Sequence, residues 1–137
     1  MAIATTLNEW RPQMLSILRI MTGLLFLEHG TQKLLGFPPG GQGGAEPFSL
    51  IWWSGPIELV AGALITLGLL TRAAAFLASG MCAFAYFIAH APQDPFPVNN
   101  SGDGAILYCF VFLYLVFAGP GPWSLDALRG RPRRTAG

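Results

Sequence analysis

The sequence predicts an all-α integral membrane protein, a four-helix bundle running up-down-up-down with a short amphipathic segment at its C-terminal end. Three observations carry this expectation. Of 137 residues, enough for one domain, 53% are hydrophobic and only 11% charged, which is far from the composition of a soluble domain. Four long apolar stretches alternate with short segments dominated by Gly and Pro. Arg11, Arg72, Arg129, Arg131, Arg133 and Arg134 fall at the termini or between the second and third stretches, while the two remaining loops contain no Lys or Arg.

Taken in order, residues 1–12 read as a short polar cytoplasmic segment, with Trp10 and Arg11 at the interface and Pro12 in the first turn of the helix that follows. The first span covers about 13–35 and ends at the cluster Gly36-Phe37-Pro38-Pro39-Gly40-Gly41, continued by Gly43-Gly44. The second, about 50–70, opens on the interfacial pair Trp52-Trp53 and carries Pro56 and Glu58. Thr71-Arg72 is a tight connection, so the third span, about 73–91, returns antiparallel beside the second and closes on His90. A loop with three prolines leads to Asp103 and the fourth span, about 103–119. Residues 120–137 form a cytoplasmic tail: a short amphipathic piece from Trp123 to Arg129 on the membrane surface, then a basic end. Four spans put both termini on one side, and the arginine distribution makes that side the cytoplasm.

The four-Arg tail reads as an orientation signal, since no recognition motif accompanies it that would bind nucleic acid. The first apolar run is expected to be retained and not cleaved as a signal peptide, because it holds Arg19, Glu28, His29 and Lys33 and lacks a small-residue cleavage site. Cys82 and Cys109 lie in apolar runs with neither CxxC nor metal-like spacing. They read as buried small side chains; a disulfide between them needs adjacent helices and matched depth.

Ionisable groups inside apolar helices need partners, since an unpaired one at a helix centre costs about 2.5–3.5 kcal/mol on insertion scales. With depth set by the helical rise, Glu28, His29 and Lys33 from the first span, Glu58 from the second, His90 from the third and Asp103 from the fourth share the outer half of the bundle. Arg19 and Arg72 remain near the cytoplasmic face as structural charges. At 100° per residue, Arg19, Gly23, Gly30 and Lys33 lie within about 40° of one stripe, His29 lies about 80° off it, and Glu28 lies opposite, toward a second neighbouring helix or an oligomer interface. Gly23 and Gly30 on the stripe allow a second helix to approach closely.

The pattern Arg19-x3-Gly23-x5-His29-Gly30-x2-Lys33-Leu34-x-Gly36-Phe37, followed by Gly55-Pro56-Ile57-Glu58-Leu59-Val60-x-Gly62, by Gly68-Leu69-Leu70-Thr71-Arg72 and by Gly119-Pro120-Gly121-Pro122-Trp123-Ser124-Leu125-Asp126, resembles the DoxX family. Asp103 stands where that family often has Glu. The resemblance implies a bacterial inner-membrane four-helix protein; some relatives are linked to quinone-coupled oxidation of sulfur compounds and others to complexes that handle thiol or oxidative stress.

The functional expectation is a quinone-interacting subunit of an oxidoreductase system. A quinone headgroup needs a donor and a proton-exchanging acid at its carbonyls within an apolar slot open to lipid. Glu28, His29 and Glu58 are the expected catalytic groups, and Lys33, His90, Asp103 and Trp53 the expected substrate-binding ones. Electrons would come from a partner redox subunit, because no flavin, iron-sulfur or haem-attachment motif is recognisable and no metal site is expected. One alternative is a non-catalytic assembly factor or small-molecule carrier whose buried charges fix helix register. A lesser one is a b-type haem between His29 and His90, for which Glu28 and Lys33 make poor surroundings.

Overall fold

The computed structural model covers residues 2–40 and 44–130, and every regular element among them is helical. They are α1 (Ala2–Leu35), α2 (Leu50–Leu67), α3 (Thr71–Ala85) continued by a π-helical turn over Tyr86–His90, the single turn α4 (Pro97–Asn100), α5 (Asp103–Ala118) and the short α6 (Leu125–Arg129). Arg131, Arg133 and Arg134 of the expected basic tail, and Gly41 and Gly43 of the first loop, lie outside the described residues.

Two stretches are long and apolar enough to cross a membrane, Leu50–Leu67 and Thr71–His90; α5 is equally apolar but shorter. Along α3, side-chain size is sorted inside out. Helix α3 turns Thr71, Ala74, Ala75, Ala78, Ser79 and Cys82 inward, whereas Phe76, Leu77, Phe84, Phe110 and Phe117 on α3 and α5 point outward. Small residues at helix seams and bulky apolar ones outside suit a hydrocarbon solvent, where close backbone packing replaces hydrophobic burial as the force between helices.

Helix α1 begins at Ala2, whereas the sequence reading starts the first span at 13. Pro12 lies inside the helix and not at its start. Residues 2–11 contain no Gly or Pro to break the helix, and an interior proline removes only one ladder bond. Ser16 Oγ donates to the Pro12 carbonyl at 3.3 Å across that turn.

Helices α1 and α2 are antiparallel and touch along glycines spaced seven apart on both. A Cβ on Gly30 would stand 2.6 Å from Leu59 N, and one on Gly62 would stand 2.7 Å from Leu27 N, so backbone meets backbone. Helices α3 and α5 are also antiparallel: Arg72 donates to the carbonyls of Val116 and Phe117, and Ser79 Oγ donates to Cys109 O at 2.8 Å. Both cysteines are free thiols on this second seam, Cys82 buried and Cys109 partly so.

The end of the molecule near Arg19 is tied together by a set of helix caps. Helix α2 ends in a Schellman motif: Gly68 takes φ 68°, its N–H bonds Ile65 O at 3.0 Å, and Leu69 N bonds Leu64 O at 2.9 Å. Arg19, fully buried, donates to the carbonyls of Ile65 (2.6 Å), Thr66 (2.5 Å), Pro120 (2.7 Å) and Trp123. Helix α3 has no side-chain cap from its own N-cap residue, Leu70. Asp126 supplies one from α6, its two oxygens each accepting at 2.9 Å from Leu70 N and Thr71 N. The segment expected on the membrane surface is therefore docked on the α2–α3 turn, with Asp126 N also donating to Gly68 O at 2.8 Å. Slight burial acts to raise the Asp126 carboxyl, but the backbone donors of Thr71 and Leu70 and the charge of Arg129 hold it below the ordinary aspartate value.

Three outcomes test this description. Gly62→Ala forces α1 and α2 apart and should destabilise by about 1–3 kcal/mol, as overpacking does; Gly80→Ala, whose Cβ meets nothing within 4 Å, should be neutral or slightly stabilising. Equal melting temperatures for the two in detergent would contradict the backbone contact. Arg19→Lys keeps the charge but cannot reach four carbonyls in two directions, and should cost about 3–5 kcal/mol. Because the Asp126 carboxyl is lowered on folding, its contribution is complete above the ordinary aspartate value and fades as pH falls through the folded one. Asp126→Asn should thus cost about 1 kcal/mol near neutrality and progressively less in acid, read from melting curves at stepped pH.

Candidate functional site

The register that points Arg19 inward decides what α1 shows to each neighbour. Gly23, Phe26, Gly30 and Lys33 follow Arg19 on the inner side, and Leu25, Glu28, His29 and Gln32 form a second stripe at i, i+3, i+4, i+7 spacing. That second stripe lines a cleft of about 270 Å³, closed on its far side by Tyr108 of α5.

The floor of the cleft is aromatic. The His29 ring meets Tyr108 edge-on at 5.9 Å, Tyr108 stacks on Phe112 at 5.7 Å, and Phe26 sets its edge against Phe112 at 4.8 Å. Phe112 and Phe26 are buried in the core, so Tyr108 and His29 rest on a fixed support. Gln32 Nε2 donates to Gly40 O at 3.2 Å and Pro38 O at 3.4 Å, which ties the first loop to the cleft's rim. Glu28 and His29 are exposed residues, so the cleft opens outward from the bundle.

Glu58 and Lys33 occupy the other side of α1. Lys33 Nζ and Glu58 Oε1 form an ion pair at 2.6 Å, and Nζ also donates to Ser54 Oγ at 2.8 Å. The Glu58 side chain is 6% exposed and that of Lys33 23%, so the pair runs from the interior toward the surface. Glu58 Oε2 is buried and takes no hydrogen bond from the described residues. Across the interior Glu58 is within electrostatic reach of His29, Cys82 and Tyr108.

The remaining expected site residues lie elsewhere. His90 Nδ1 is 2.9 Å from Asn100 O, and since a carbonyl only accepts, that nitrogen carries the proton; the ring also stacks on Tyr86 at 6.4 Å. This contact fastens the loop between α3 and α5. Asp103 is exposed in the first turn of α5, where its charge complements the helix dipole. Trp53 is exposed among Trp52 and Phe48, an aromatic cluster at the start of α2. Arg72 caps the end of α5 and Arg19 the end of α2. Of the groups expected together in one pocket, the structure brings Glu28 with His29 and Lys33 with Glu58; Trp53, His90 and Asp103 line neither place.

Three cleft residues, Leu25, Gln32 and Tyr108, were not singled out by sequence reasoning. The signal for Gln32 was present, since it continues the 25-28-29 stripe by one turn. For Tyr108, one aromatic among many in an apolar run, only the angular position of a neighbouring helix could have selected it.

The family model for DoxX matches residues 14–91. An uncharacterized protein of Haemophilus influenzae is 43% identical over 127 residues, covering 88% of this chain and 93% of the relative. No solved structure matches the chain. A family match that spans the Arg19, Gly30, Glu58 and Arg72 signatures, on a body of apolar helices, settles the identification: the chain belongs to the DoxX family and is a membrane protein of the DoxX type.

Proposed function

We propose that this protein spans the bacterial inner membrane four times with both termini in the cytoplasm, and that its cleft accepts the headgroup of a quinone as part of an oxidoreductase system. The antiparallel α1–α2 and α3–α5 pairs support the up-down arrangement, and the arginine-free loops at the far end support the orientation. One observation carries the functional reading: Glu28, His29, Gln32 and Tyr108 converge with Leu25 on one outward-opening cleft.

At about 270 Å³ the cleft falls just below the ~300–1,000 Å³ usual for small-molecule sites, room for a single ring whose isoprenoid tail stays in lipid. Reducing a quinone to a quinol takes two electrons and two protons, one on each carbonyl oxygen. A partner redox subunit supplies the electrons. His29 and Glu28 exchange the protons, and the Tyr108 hydroxyl donates a hydrogen bond to a ring oxygen.

A second reading, a non-catalytic assembly factor or carrier, is supported by Arg19, whose partners are all backbone carbonyls and whose role is structural. Binding discriminates the two. Decylubiquinone titrated calorimetrically into the protein in lipid nanodiscs should bind saturably, and His29→Gln or Tyr108→Phe should weaken it by about 1–3 kcal/mol in a folded protein. Gln93→Ala, remote from the cleft, should leave it unchanged. Absence of saturable binding, or equal binding by all variants, would leave the assembly reading in its place.

A further inference from the structure

A ligand in the cleft meets an uneven set of hydrogen-bonding groups, and Gln32 shows this most plainly. Its Nε2 is turned to two loop carbonyls, Gly40 O at 3.2 Å and Pro38 O at 3.4 Å. A carbonyl only accepts, so the atom facing the pair must be the amide nitrogen. The loop that bears them is anchored where it leaves α1, Gly36 N donating to Gln32 O at 3.0 Å and Phe37 N to Thr31 O at 3.5 Å. With its N–H side committed to the loop, Gln32 has only the acceptor Oε1 left to offer in the cleft it lines. Glu28 adds two carboxylate oxygens one turn away, and these accept without donating. His29 and Tyr108 work in either sense, the imidazole through its two nitrogens and the phenol through its O–H and lone pairs. Lys, Arg and Trp, whose side chains only donate, are absent from the described residues that line the cleft.

The two oxidation states of a quinone headgroup ask for opposite partners. The oxidised ring has carbonyl oxygens that only accept, whereas the reduced ring has hydroxyls that each donate one hydrogen and still accept another. A donor such as Tyr108 therefore serves both forms. Glu28 and Gln32 Oε1 serve the reduced form alone, and against a ring carbonyl they set one acceptor facing another. We propose that the cleft is a quinol site, holding the reduced headgroup about tenfold more tightly than the oxidised one, with ring hydroxyls donating to Glu28 and Gln32 Oε1. This rests on the reading of the cleft as a quinone site and names the oxidation state it selects. A hydrogen bond to a carboxylate is roughly twice as strong as a neutral one. Glu28 is exposed, however, and water answers it when the ring does not, so the preference stays well below the rejection an enclosed site achieves. Tighter binding of the reduced form makes the bound ring easier to reduce: a tenfold preference raises the midpoint of a two-electron couple by about 30 mV.

The test titrates decylubiquinone and decylubiquinol, the latter kept reduced under anaerobic conditions, calorimetrically into the protein in lipid nanodiscs. The quinol should bind about tenfold more tightly, and the midpoint potential of the bound couple should lie about 30 mV above that of the same couple in protein-free nanodiscs. Glu28→Gln, which puts an N–H where a carboxylate oxygen stood, should bring the two affinities within about twofold of each other. Tyr108→Phe should weaken both forms together and leave their ratio as it is. Equal affinities in the wild type, tighter binding of the quinone, an unshifted midpoint, or a Glu28→Gln ratio equal to that of the wild type overturns the quinol preference while the cleft remains a quinone site. Failure of both forms to bind the wild type overturns the site and the preference together. The midpoint is measured on the wild type alone, so it decides the preference even where a variant does not fold.

Discussion

A single buried guanidinium holds the architecture in register. Arg19 places its planar fork where the C-terminal carbonyls of α2 and the carbonyls of Pro120 and Trp123 converge, and it adds a donor to each of these helix-end and turn carbonyls. Lysine, with three donors on one nitrogen, cannot span those directions. The close fit is enforced from the other side as well: a Cβ on Gly68 would stand 2.3 Å from Ser124 Cβ and 3.0 Å from Arg19 Cζ. The turn after α2, the segment after α5 and the middle of α1 are thus one unit, and Asp126 extends it to the start of α3.

Fixing Arg19 fixes the rotation of α1, and that rotation sorts the polar residues of its far end. Residues in phase with Arg19 reach α2, which is how Lys33 meets Glu58. Residues out of phase open onto the cleft beside α5. The glycine seam reinforces this, because backbones that touch at Gly30 and Gly62 leave α1 little freedom to roll. On the cleft side, among the described residues, aromatic rings make the contact between α1 and α5: Phe26 on Phe112, and His29 on Tyr108. A tight seam on one side of a helix and a gap on the other is a geometry in which a flat ligand can enter without disturbing the fold.

Much of this was legible from the amino acids because it follows from period and composition. The helical character of the apolar stretches and the close approach at Gly23 and Gly30 follow from local pattern. What was not legible depends on where distant segments meet. Pro12 reads as the start of a helix in a one-dimensional scan, and only the ladder on both sides of it reveals an interior position. Asp126 looks like one acid in an amphipathic turn; its role as cap requires knowing that α6 folds back on Leu70 and Thr71. The common depth expected from the sequence did not translate into a common pocket, since depth constrains one coordinate and the angular one divides Glu58 from Glu28.

The charged groups also differ in how fully the protein answers them. Arg19 and Arg72 are met by backbone carbonyls, and Lys33 by Ser54 and one oxygen of Glu58. The other Glu58 oxygen takes no hydrogen bond from the described residues, and Glu28 and His29 stand exposed in the cleft. A polar group in an apolar medium that lacks a partner in its own chain must find one outside it, in a ligand, in a proton or in a neighbouring protein. Arg19 and Arg72, each met by several carbonyls, belong to the part of the molecule built for stability, and the cleft residues belong to the part proposed for chemistry.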